Sequence, residues 1–264
     1  MQAAILHGFG LPLRIEEVPR PVPKPDEVLV EVEACGVCHS DLHFVEGSYP
    51  HPLPAVPGHE AAGIVERVGF GVSRVKPGDR VVLSWSPNCG HCFYCQESHP
   101  TLCDTYGGAA VSGGLWDRTS RLGPVDAPLK HYSCVSSFAE LAVVPEAGCI
   151  IIPDDVPFDV AALVGCAVTT GFGAATNDAG VRPGDHVAVI GIGGVGINAI
   201  AAARLAGAAS IIAVDINADK ADVATTYGAT HFVKADDPEW LSRVRALTQG
   251  RGVDSSIECT GRAS

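Results

Sequence analysis

The segment that decides the fold is His186-Val-Ala-Val-Ile-Gly-Ile-Gly-Gly-Val-Gly196, an apolar run that enters a cluster of glycines. The apolar residues are typical of a buried strand, and the pattern predicts a helix from Val195 to Ala206. Gly191 permits a tight turn, Gly193 lets the backbone approach a pyrophosphate, and Gly196 allows helix and strand to pack closely. Because the helix N-terminus attracts negative charge, the segment predicts a dinucleotide site.

Strands and helices alternate through the rest of this half of the chain. Strands are predicted at 210–214, 231–233 and 253–258, and helices at 169–177, 218–227 and 238–249. This order implies a parallel, doubly wound sheet. Asp215 follows the second strand, about 20 residues after the glycines, where a carboxylate bonds ribose hydroxyls and repels a 2′-phosphate. We therefore expect NAD rather than NADP; the alternative is a plain strand–turn–helix with an incidental surface Asp.

The first half of the chain follows a different pattern, that of β structure. Short apolar runs predict strands at 28–33, 62–68 and 80–84, which suggests a barrel or a sandwich. Residues 104–136 are rich in Gly, Ser and Pro and are predicted to form a long surface loop, which in a compact domain is usually functional. The change of pattern places the boundary between two domains near residues 153–168.

Four cysteines spaced C-x2-C-x2-C-x7-C form a second decisive pattern, at Cys89, Cys92, Cys95 and Cys103. Four such thiolates suit one tetrahedral zinc ion, and a closed four-sulfur shell leaves no position for substrate. Ferredoxin-type iron–sulfur runs have a last gap of three residues followed by proline, whereas Asp104 follows here. A disulfide pair needs an oxidising compartment, to which the chain shows no route. We predict a structural zinc site.

Three further residues suggest a second metal site. Cys38, His59 and Cys166 would form a Cys2His set with an open fourth position, as a catalytic zinc requires. Spacing alone leaves this open, because a lone His is often a satisfied core or surface residue and a lone Cys is often a small buried hydrophobe.

Composition narrows the class of protein. The chain has 264 residues, 47% of them hydrophobic and 18% charged, as is typical of a soluble globular protein with a sizeable core. A formal charge of −12 without a basic run argues against nucleic acid and anionic lipid as partners. The N-terminus does not resemble a signal peptide, and no apolar stretch free of breakers looks long enough to cross a bilayer. Ten cysteines then indicate metal ligation in a reducing cytoplasm.

Several motifs occur together in the order and spacing of one family. They are Gly36-Val-Cys-His-Ser-Asp41, Gly58-His-Glu60, the four-cysteine run, Gly165-Cys166, the glycine turn and Asp215. Together they resemble the zinc-containing medium-chain alcohol dehydrogenases, in the liver-type or formaldehyde dehydrogenase-like branch. The resemblance covers essentially the whole chain.

The resemblance implies a fold and an activity. The expected fold is a GroES-like β-barrel catalytic domain over residues 1–166, followed by a partial Rossmann NAD-binding domain over residues 167–264. The expected activity is reversible hydride transfer between a primary alcohol or aldehyde and NAD, with one catalytic and one structural zinc. A homo-oligomer is expected for the full-length protein.

Individual roles also follow from the resemblance. The Cys2His set resembles the catalytic zinc ligands, and Glu60 the nearby carboxylate that supports the metal. Ser40 resembles the residue that bonds the substrate hydroxyl, and His43 the outer end of a proton relay. Ser40 could instead cap a helix, His43 could face solvent, and Glu60 could pair with a buried Arg. The implied cofactor contacts are His39, Thr170, Gly191, Gly193, Gly194, Val195, Gly196, Asp215 and Lys220, the last being the weakest because helix lysines are usually solvated.

The resemblance leaves the substrate and the activity of this chain to be tested. Trp85 and Tyr49 match pocket-lining positions, which favours a bulky or aromatic primary alcohol, unless either ring is simply core. The glutathione-dependent branch has acidic residues near the positions of Gly47 and Tyr49, which argues against that substrate. The family continues past Ser264, so we expect these 264 residues alone to be nearly inactive. The alternatives are a zinc-free reductase of the superfamily and a non-catalytic, crystallin-like relative or inactive fragment.

Overall fold

The structure, a computed structural model, describes residues 1–261 except for the side chain of Ala110. The chain divides into an amino-terminal unit, Met1–Cys166, and a carboxyl-terminal unit, Ala167–Ser264. In the amino-terminal unit the strands are β1 Gln2–Ile5, β2 Arg14–Glu17, β3 Glu27–Gly36, β4 Ala55–Val56, β5 Glu60–Val68, β6 Arg80–Leu83, β7 Lys130–His131, β8 Leu141–Pro145 and β9 Cys149–Ile151. Its helices are α1 His39–Glu46, α2 Phe93–Gln96, α3 Ala109–Ser112 and α4 Phe158–Leu163.

Five strands of the amino-terminal unit form one antiparallel sheet in the order β8-β3-β5-β6-β9. The three strands predicted from sequence are confirmed as β3, β5 and β6. β3 begins with buried residues on both faces: Val28 and Val30 enter one apolar cluster, while Leu29 enters another. This double burial explains why the strand alternates only after Val30.

The long segment 104–136 is not the plain surface loop that its composition predicts. It contains α3 and β7, and Leu115, Leu122 and Leu129 are at most 7% exposed. Arg121 within it forms a buried ion pair with Glu27 of β3. The Gly and Ser content indicates its turns but not its buried leucines, of which Leu115 packs against strands β3 and β8 while Leu122 and Leu129 enter a separate cluster with β1.

The carboxyl-terminal unit contains a parallel four-stranded sheet in the order β12-β11-β10-β13. This order confirms the predicted parallel sheet, in which consecutive strands are joined through helices. Small and β-branched side chains, among them Ala199, Ala202 and Ala203 of α6, build its core against β10 and β11. The elements are α5 Thr169–Gly173, β10 His186–Ile190, α6 Gly194–Leu205, β11 Ser210–Asp215, α7 Ala221–Tyr227, β12 His231–Lys234, α8 Trp240–Leu247 and β13 Ser255–Glu258.

Helical turns run from Phe158 to Asp178, further upstream than the helix predicted from Thr169. Two π-helical turns, Val164–Val168 and Ala174–Asp178, interrupt this run. The expectation concerned apolar stretches free of breakers, and Gly165, Gly171 and Gly173 lie within this run. By length and composition alone the run is apolar enough to cross a bilayer, because an 18-residue window within its 21 residues reaches a mean hydropathy of 1.5. One such helix is weak evidence for a membrane span, since core helices of soluble proteins meet the same criteria.

Candidate functional site

The four-cysteine run closes around one point. Cys89, Cys92 and Cys95 lie in and before α2, and Cys103 follows a short 3-10 turn, Pro100–Leu102. All four sulfurs lie within 4.8 Å of one another, with 3.9 Å between Cys89 and Cys95 and 4.0 Å between Cys92 and Cys103. A tetrahedron with Zn–S near 2.3 Å places its sulfurs about 3.8 Å apart. The set therefore fits a closed zinc site.

Backbone groups support the negative charge of this cluster. The N–H of Cys92 donates to Sγ of Cys89, and the N–H of Cys89 donates to Sγ of Cys103, each at 3.3 Å. All ten cysteines of the chain are free thiols, so the disulfide alternative is not realised. Thiolate character at these sulfurs is what a zinc ion requires of its ligands.

The second group of donors comes from three separate segments of the amino-terminal unit. Cys38 precedes α1, His59 and Glu60 stand at the start of β5, and Cys166 lies in a π-helical turn. One ligand atom of each residue lies within 4.8 Å of those of the others. His59, Glu60 and Cys166 are 4%, 2% and 7% exposed. The structure thus brings together the predicted Cys2His set and the predicted neighbouring carboxylate.

The protons of this group are distributed unevenly. A hydrogen bond from Cys166 lowers the pKa of Cys38, and bonds with His59 and Ser40 lower it further against the effect of burial. The pKa of Cys166 is raised by the same bond and by burial. Burial lowers the pKa of His59, but its bonds with Asp41 and Cys38 outweigh burial and raise it to about 9. A buried set that holds thiolate and shared protons suits a cation, so its chemistry fits zinc.

Asp41 is a site residue to which the sequence analysis gave no role. Its carboxylate is 2% exposed and accepts from the N–H of Cys38 at 3.0 Å and of Gly58 at 3.2 Å. It also lies 3.1 Å from Nδ1 of His59, which leaves Nε2 of that ring for a metal. A carboxylate that orients a ligating His is the usual support of a zinc site. Its position three residues after Cys38, as in a capping box, was the signal available in the sequence.

Gly36 makes room for the carboxylate of Glu60. A Cβ at Gly36 would lie 2.2 Å from Oε2 of Glu60 and 3.2 Å from Cδ2 of Leu163. Any side chain there would force the carboxylate away from its place beside the ligands. Because Gly36 at the end of β3 has no side chain, the carboxylate of Glu60 can lie beside the ligands.

The first turn of α1 carries three predicted site residues. Cys38, not Ser40, occupies the N-cap, so the alternative role of Ser40 as a helix cap is wrong. Ser40 is exposed, and its hydroxyl bonds the thiol of Cys38. The rings of His39 and His43 meet edge to face with centroids 4.5 Å apart. His43 is half-buried, so it is not a fully solvent-facing residue.

The glycine turn of the carboxyl-terminal unit is built as its motif requires. Gly191 has φ +89°, and a Cβ at Gly196 would lie 1.9 Å from the carbonyl oxygen of Gly191. A Cβ at Gly193 would enter open space, and a Cβ at Gly194 would lie 3.3 Å from that of Ala167. No side chain caps α6 among the described residues, so the N–H groups of its first turn remain available to an anion. This arrangement fits a pyrophosphate.

Asp215 lies at the end of β11 and is only 6% exposed, so it is not an incidental surface residue. Its carboxylate accepts from the N–H of Ile192 at 2.7 Å and of Asn217 at 2.9 Å, and it pairs with Nζ of Lys220 at 2.9 Å. Burial raises the pKa of Asp215, but these bonds outweigh burial and lower it. A charged carboxylate is thus held against the glycine turn, and Lys220 is its ion-pair partner rather than a freely solvated side chain.

The remaining predicted cofactor contacts lie on two helices of the same unit. Thr170 belongs to α5 and Val195 to the first turn of α6. A Cβ at Gly171 would lie 2.4 Å from the carbonyl oxygen of Val195, so α5 and α6 pack closely at this point. His39 is the one predicted cofactor contact that belongs to the amino-terminal unit.

Two family models match the chain. Residues 24–154 match the family model of the alcohol dehydrogenase GroES-like domain, and residues 194–264 match that of the zinc-binding dehydrogenases. The chain is 42% identical over 261 residues to the NDMA-dependent alcohol dehydrogenase of Amycolatopsis methanolica, covering 98% of this chain and 70% of that protein.

Two further relatives extend the comparison. The chain is 42% identical to the probable S-(hydroxymethyl)glutathione dehydrogenase 1 of Schizosaccharomyces pombe, covering 100% of this chain and 70% of that protein. The crystal structure of benzyl alcohol dehydrogenase from Acinetobacter calcoaceticus matches with a TM-score of 0.90 and 35% identity, covering 99% of this chain and 70% of that one.

Proposed function

Because the chain belongs to the zinc-binding alcohol dehydrogenase family, we propose that its Cys2His set and the adjoining first turn of α1 oxidise primary alcohols. Family membership establishes an oxidoreductase that acts on alcohols, with a GroES-like domain, a Rossmann-like parallel sheet, and zinc and NAD as cofactors. The roles of single residues, the substrate and the direction of the reaction are what we propose here.

The observation that carries the proposal is the placement of an exposed serine hydroxyl beside a buried zinc-type ligand set. Cys38, His59 and Cys166 would hold the catalytic zinc and leave its fourth position open to substrate, with Glu60 as the neighbouring carboxylate, and the four-cysteine cluster would hold the structural zinc. When bound, zinc supplies a Lewis acid and NAD a hydride acceptor. The residues of this chain would bind the two cofactors, orient the substrate and transfer its proton.

Ser40 and His43 are the proposed proton carriers. Three residues apart on one helix, they are neighbours on its surface, and Ser40 already contacts Cys38. The Ser40 hydroxyl would accept the proton of the substrate hydroxyl while giving up its own toward the imidazole of His43, from which it reaches solvent. Glu60 would support the ligand set, and Asp41 would keep His59 oriented.

The glycine turn and Asp215 would bind NAD. The open space at Gly193 and the uncapped first turn of α6 favour a pyrophosphate there. Asp215 would bond the ribose hydroxyls and repel a 2′-phosphate, with Lys220 beside it. His39, Thr170 and Val195 would complete the cofactor contacts.

A primary aromatic or bulky alcohol is the proposed substrate. The benzyl alcohol dehydrogenase neighbour supports it, as does the aromatic cluster of Phe44, Tyr49 and Tyr132 near the ligand set. S-(hydroxymethyl)glutathione, named in one relative, is a second candidate, which the neutral residues Gly47 and Tyr49 disfavour.

Two donor sets suited to zinc disfavour a zinc-free reductase and a non-catalytic relative. We further propose a cytoplasmic location, a homo-oligomer in the full-length protein, and neither nucleic acid nor membrane as a partner, in keeping with the acidic charge of −12.

The test is NAD-dependent oxidation of benzyl alcohol by zinc-loaded protein expressed from its natural reading frame. Ser40→Ala should lower kcat about 10²- to 10⁴-fold, because a general acid–base step is lost, with zinc content unchanged. Ser48→Ala, which removes an exposed hydroxyl just after the same helix, is the matched control. Wild-type protein that carries zinc yet oxidises no alcohol, or equal rates for Ser40→Ala and Ser48→Ala, would contradict the proposal.

A further inference from the structure

Two tyrosine hydroxyls and one backbone carbonyl form a triangle beside the zinc ligand set. The hydroxyls of Tyr49 and Tyr132 lie 2.6 Å apart. Both also reach the carbonyl oxygen of Ser40, at 3.2 Å from Tyr49 and 3.3 Å from Tyr132. Tyr132 is 83 residues from Tyr49 and 92 from Ser40, and only the fold brings it to them.

The triangle has three contacts but only two protons. A carbonyl accepts and cannot donate, and each hydroxyl has one proton to give. If both hydroxyls donated to Ser40, two oxygens would face each other at 2.6 Å without a proton between them. One tyrosine therefore donates to the other, and the second donates to Ser40. The first is left with its proton engaged and its lone pairs unused.

Burial decides which tyrosine has the unused lone pairs. Tyr132 is 5% exposed and stacks on Phe44 with ring centroids 4.6 Å apart, whereas Tyr49 is half-buried. An acceptor left unpaired in the interior is costly, and one that faces an open surface is not. In the stable arrangement Tyr49 thus donates to Tyr132, and Tyr132 donates to the carbonyl oxygen of Ser40. Within residues 1–261 no other donor reaches the hydroxyl of Tyr49.

This hydroxyl stands close to the proposed chemistry. The ring of Tyr132 meets that of His59 at 5.7 Å between centroids. Ser40, which anchors the pair, is two residues from Cys38 and is itself a proposed proton carrier. A substrate bound at Ser40 would thus lie near an oxygen that can accept a hydrogen bond while its own proton is engaged by Tyr132.

We propose that the Tyr49 hydroxyl is a specificity-determining acceptor that favours alcohols bearing a second hydrogen-bond donor. Tyr132 is the positioning residue that accepts the hydrogen bond of the Tyr49 hydroxyl and so fixes this polarity. The preferred substrate class is an aromatic alcohol with an additional hydroxyl or amine, over alcohols of equal size with a methyl or an ether in its place. The inference rests on the proposed function and names the substrate class of that site.

The test compares matched alcohols in zinc-loaded protein from the natural reading frame. The substrates are 3- and 4-hydroxybenzyl alcohol, each against its methylbenzyl and methoxybenzyl counterparts, with kcat/KM measured for each. We expect wild type to favour at least one hydroxybenzyl isomer about tenfold over both counterparts, since one hydrogen bond is gained. Tyr49→Phe should bring both ratios close to one. Ratios within one variant cancel any general loss of activity.

Tyr132→Phe separates positioning from mere packing. In this variant the Tyr49 proton keeps only the carbonyl oxygen of Ser40, at 3.2 Å, as an internal acceptor and can turn to a substrate ether instead. The ratio of hydroxybenzyl to methoxybenzyl alcohol should therefore fall, while a packing role would lower kcat/KM for all substrates alike. Tyr106→Phe, another partly buried tyrosine, should leave every ratio unchanged. Calorimetric Kd values for the same alcohols without NAD give a readout that does not need turnover.

Each outcome decides the inference. Wild type that oxidises all the alcohols with ratios near one, or Tyr49→Phe that keeps the wild-type ratio, overturns it and leaves the proposed function standing. A wild-type preference for the methoxy compounds also overturns it, because the hydroxyl would then be a donor. Failure to oxidise any of the alcohols overturns the proposed function instead, and equal Kd values for hydroxybenzyl and methylbenzyl alcohols would then overturn the inference as well.

Discussion

Asp41 shows how much of the metal site depends on one side chain. One of its oxygens accepts from the N–H of Cys38, and the other faces the N–H of Gly58 and Nδ1 of His59. All partners of the Asp41 carboxylate are donors. An Asn in its place would therefore have to face one of these N–H groups with its own NH2, and that hydrogen bond would be lost. The orientation of a proposed zinc ligand thus depends on a residue outside the ligand set.

Asp41→Asn should therefore weaken zinc binding at the Cys2His set about 10- to 100-fold, the usual effect of losing the carboxylate behind a ligating His. Competition with a chelator, followed by zinc content, measures the loss. Asp126→Asn, at an exposed carboxylate, is the control. Identical chelator curves for the two variants would show that Asp41 does not orient His59.

Asp215 combines two tasks at one position, because one of the oxygens that would meet a ribose also accepts from the glycine turn, at the N–H of Ile192. Asp215→Ser should raise the affinity for NADP relative to NAD at least tenfold, since the carboxylate that repels a 2′-phosphate is lost. NAD affinity itself should also fall, because the turn loses the bond to Ile192. Fluorescence titration with both cofactors, with Asp219→Ser as control, checks this; an unchanged NADP/NAD ratio would remove Asp215 as the discriminator.

At the scale of elements, the four-cysteine loop has little regular structure of its own. α2 has four residues, none of them buried, and the loop is otherwise turns. A segment with so few apolar contacts depends on its metal for order.

Cys89→Ser should thus lower zinc content by about one ion per chain and make the loop a site of proteolysis, with the Cys2His zinc retained. Elemental analysis and limited proteolysis measure the two effects. Cys134→Ala changes a buried cysteine outside both ligand sets and should leave zinc content as it was. Equal zinc in Cys89→Ser and wild type would contradict the structural site.

The long segment 104–136 is held to β3 by a buried ion pair. Arg121 donates through Nε to both oxygens of Glu27, at 3.0 and 2.9 Å, and Glu27 is fully buried. Arg121→Met should lower the free energy of unfolding by about 3–5 kcal/mol, because it leaves a buried charge unpaired. Urea unfolding checks this, with Arg20→Met of the exposed pair with Glu66 expected to cost within about 1 kcal/mol. Similar losses for both would mean that the buried pair does not anchor the segment.

For the whole molecule, His131 links stability to pH. It is fully buried, and its Nε2 accepts from the N–H of Arg121, which requires a neutral ring. Burial, and then the charge of Arg121, lower its pKa to about 3 from 6.5. Below pH 6.5 the unfolded chain therefore binds a proton that the folded chain does not, so the stability contributed by His131 is present above pH 6.5 and is lost as pH falls toward 3.

The expected slope is up to about 1.4 kcal/mol per pH unit within that window. Urea unfolding of wild type and His131→Gln at pH 5, 5.75 and 6.5 measures it, and the variant should show the smaller dependence. His231→Gln, at an exposed histidine, should keep the wild-type slope. Parallel slopes for wild type and His131→Gln would show that His131 is not the group responsible.

The sequence by itself determined the features that rest on local spacing. The glycine turn, the alternation of strands and helices around it and the four-cysteine run all lie within short segments, where periodicity and backbone chemistry act directly. The same holds for strands β3, β5 and β6, whose apolar runs predict buried strands. Even the Cys2His set was named from the sequence, though only as one possibility among residues with commoner roles.

Only the tertiary structure decided which distant residues meet. Asp41 reaches His59 across 18 positions, Tyr49 meets Tyr132 across 83, and Glu27 pairs with Arg121 across 94. None of these contacts has a periodic signal, because each arises where separate strands, helices and loops pack together. Whether a polar side chain is buried and paired depends on that packing. The local sequence therefore determines which residue types are available as ligands, while the fold determines their orientation, their charge and the polarity of their surroundings.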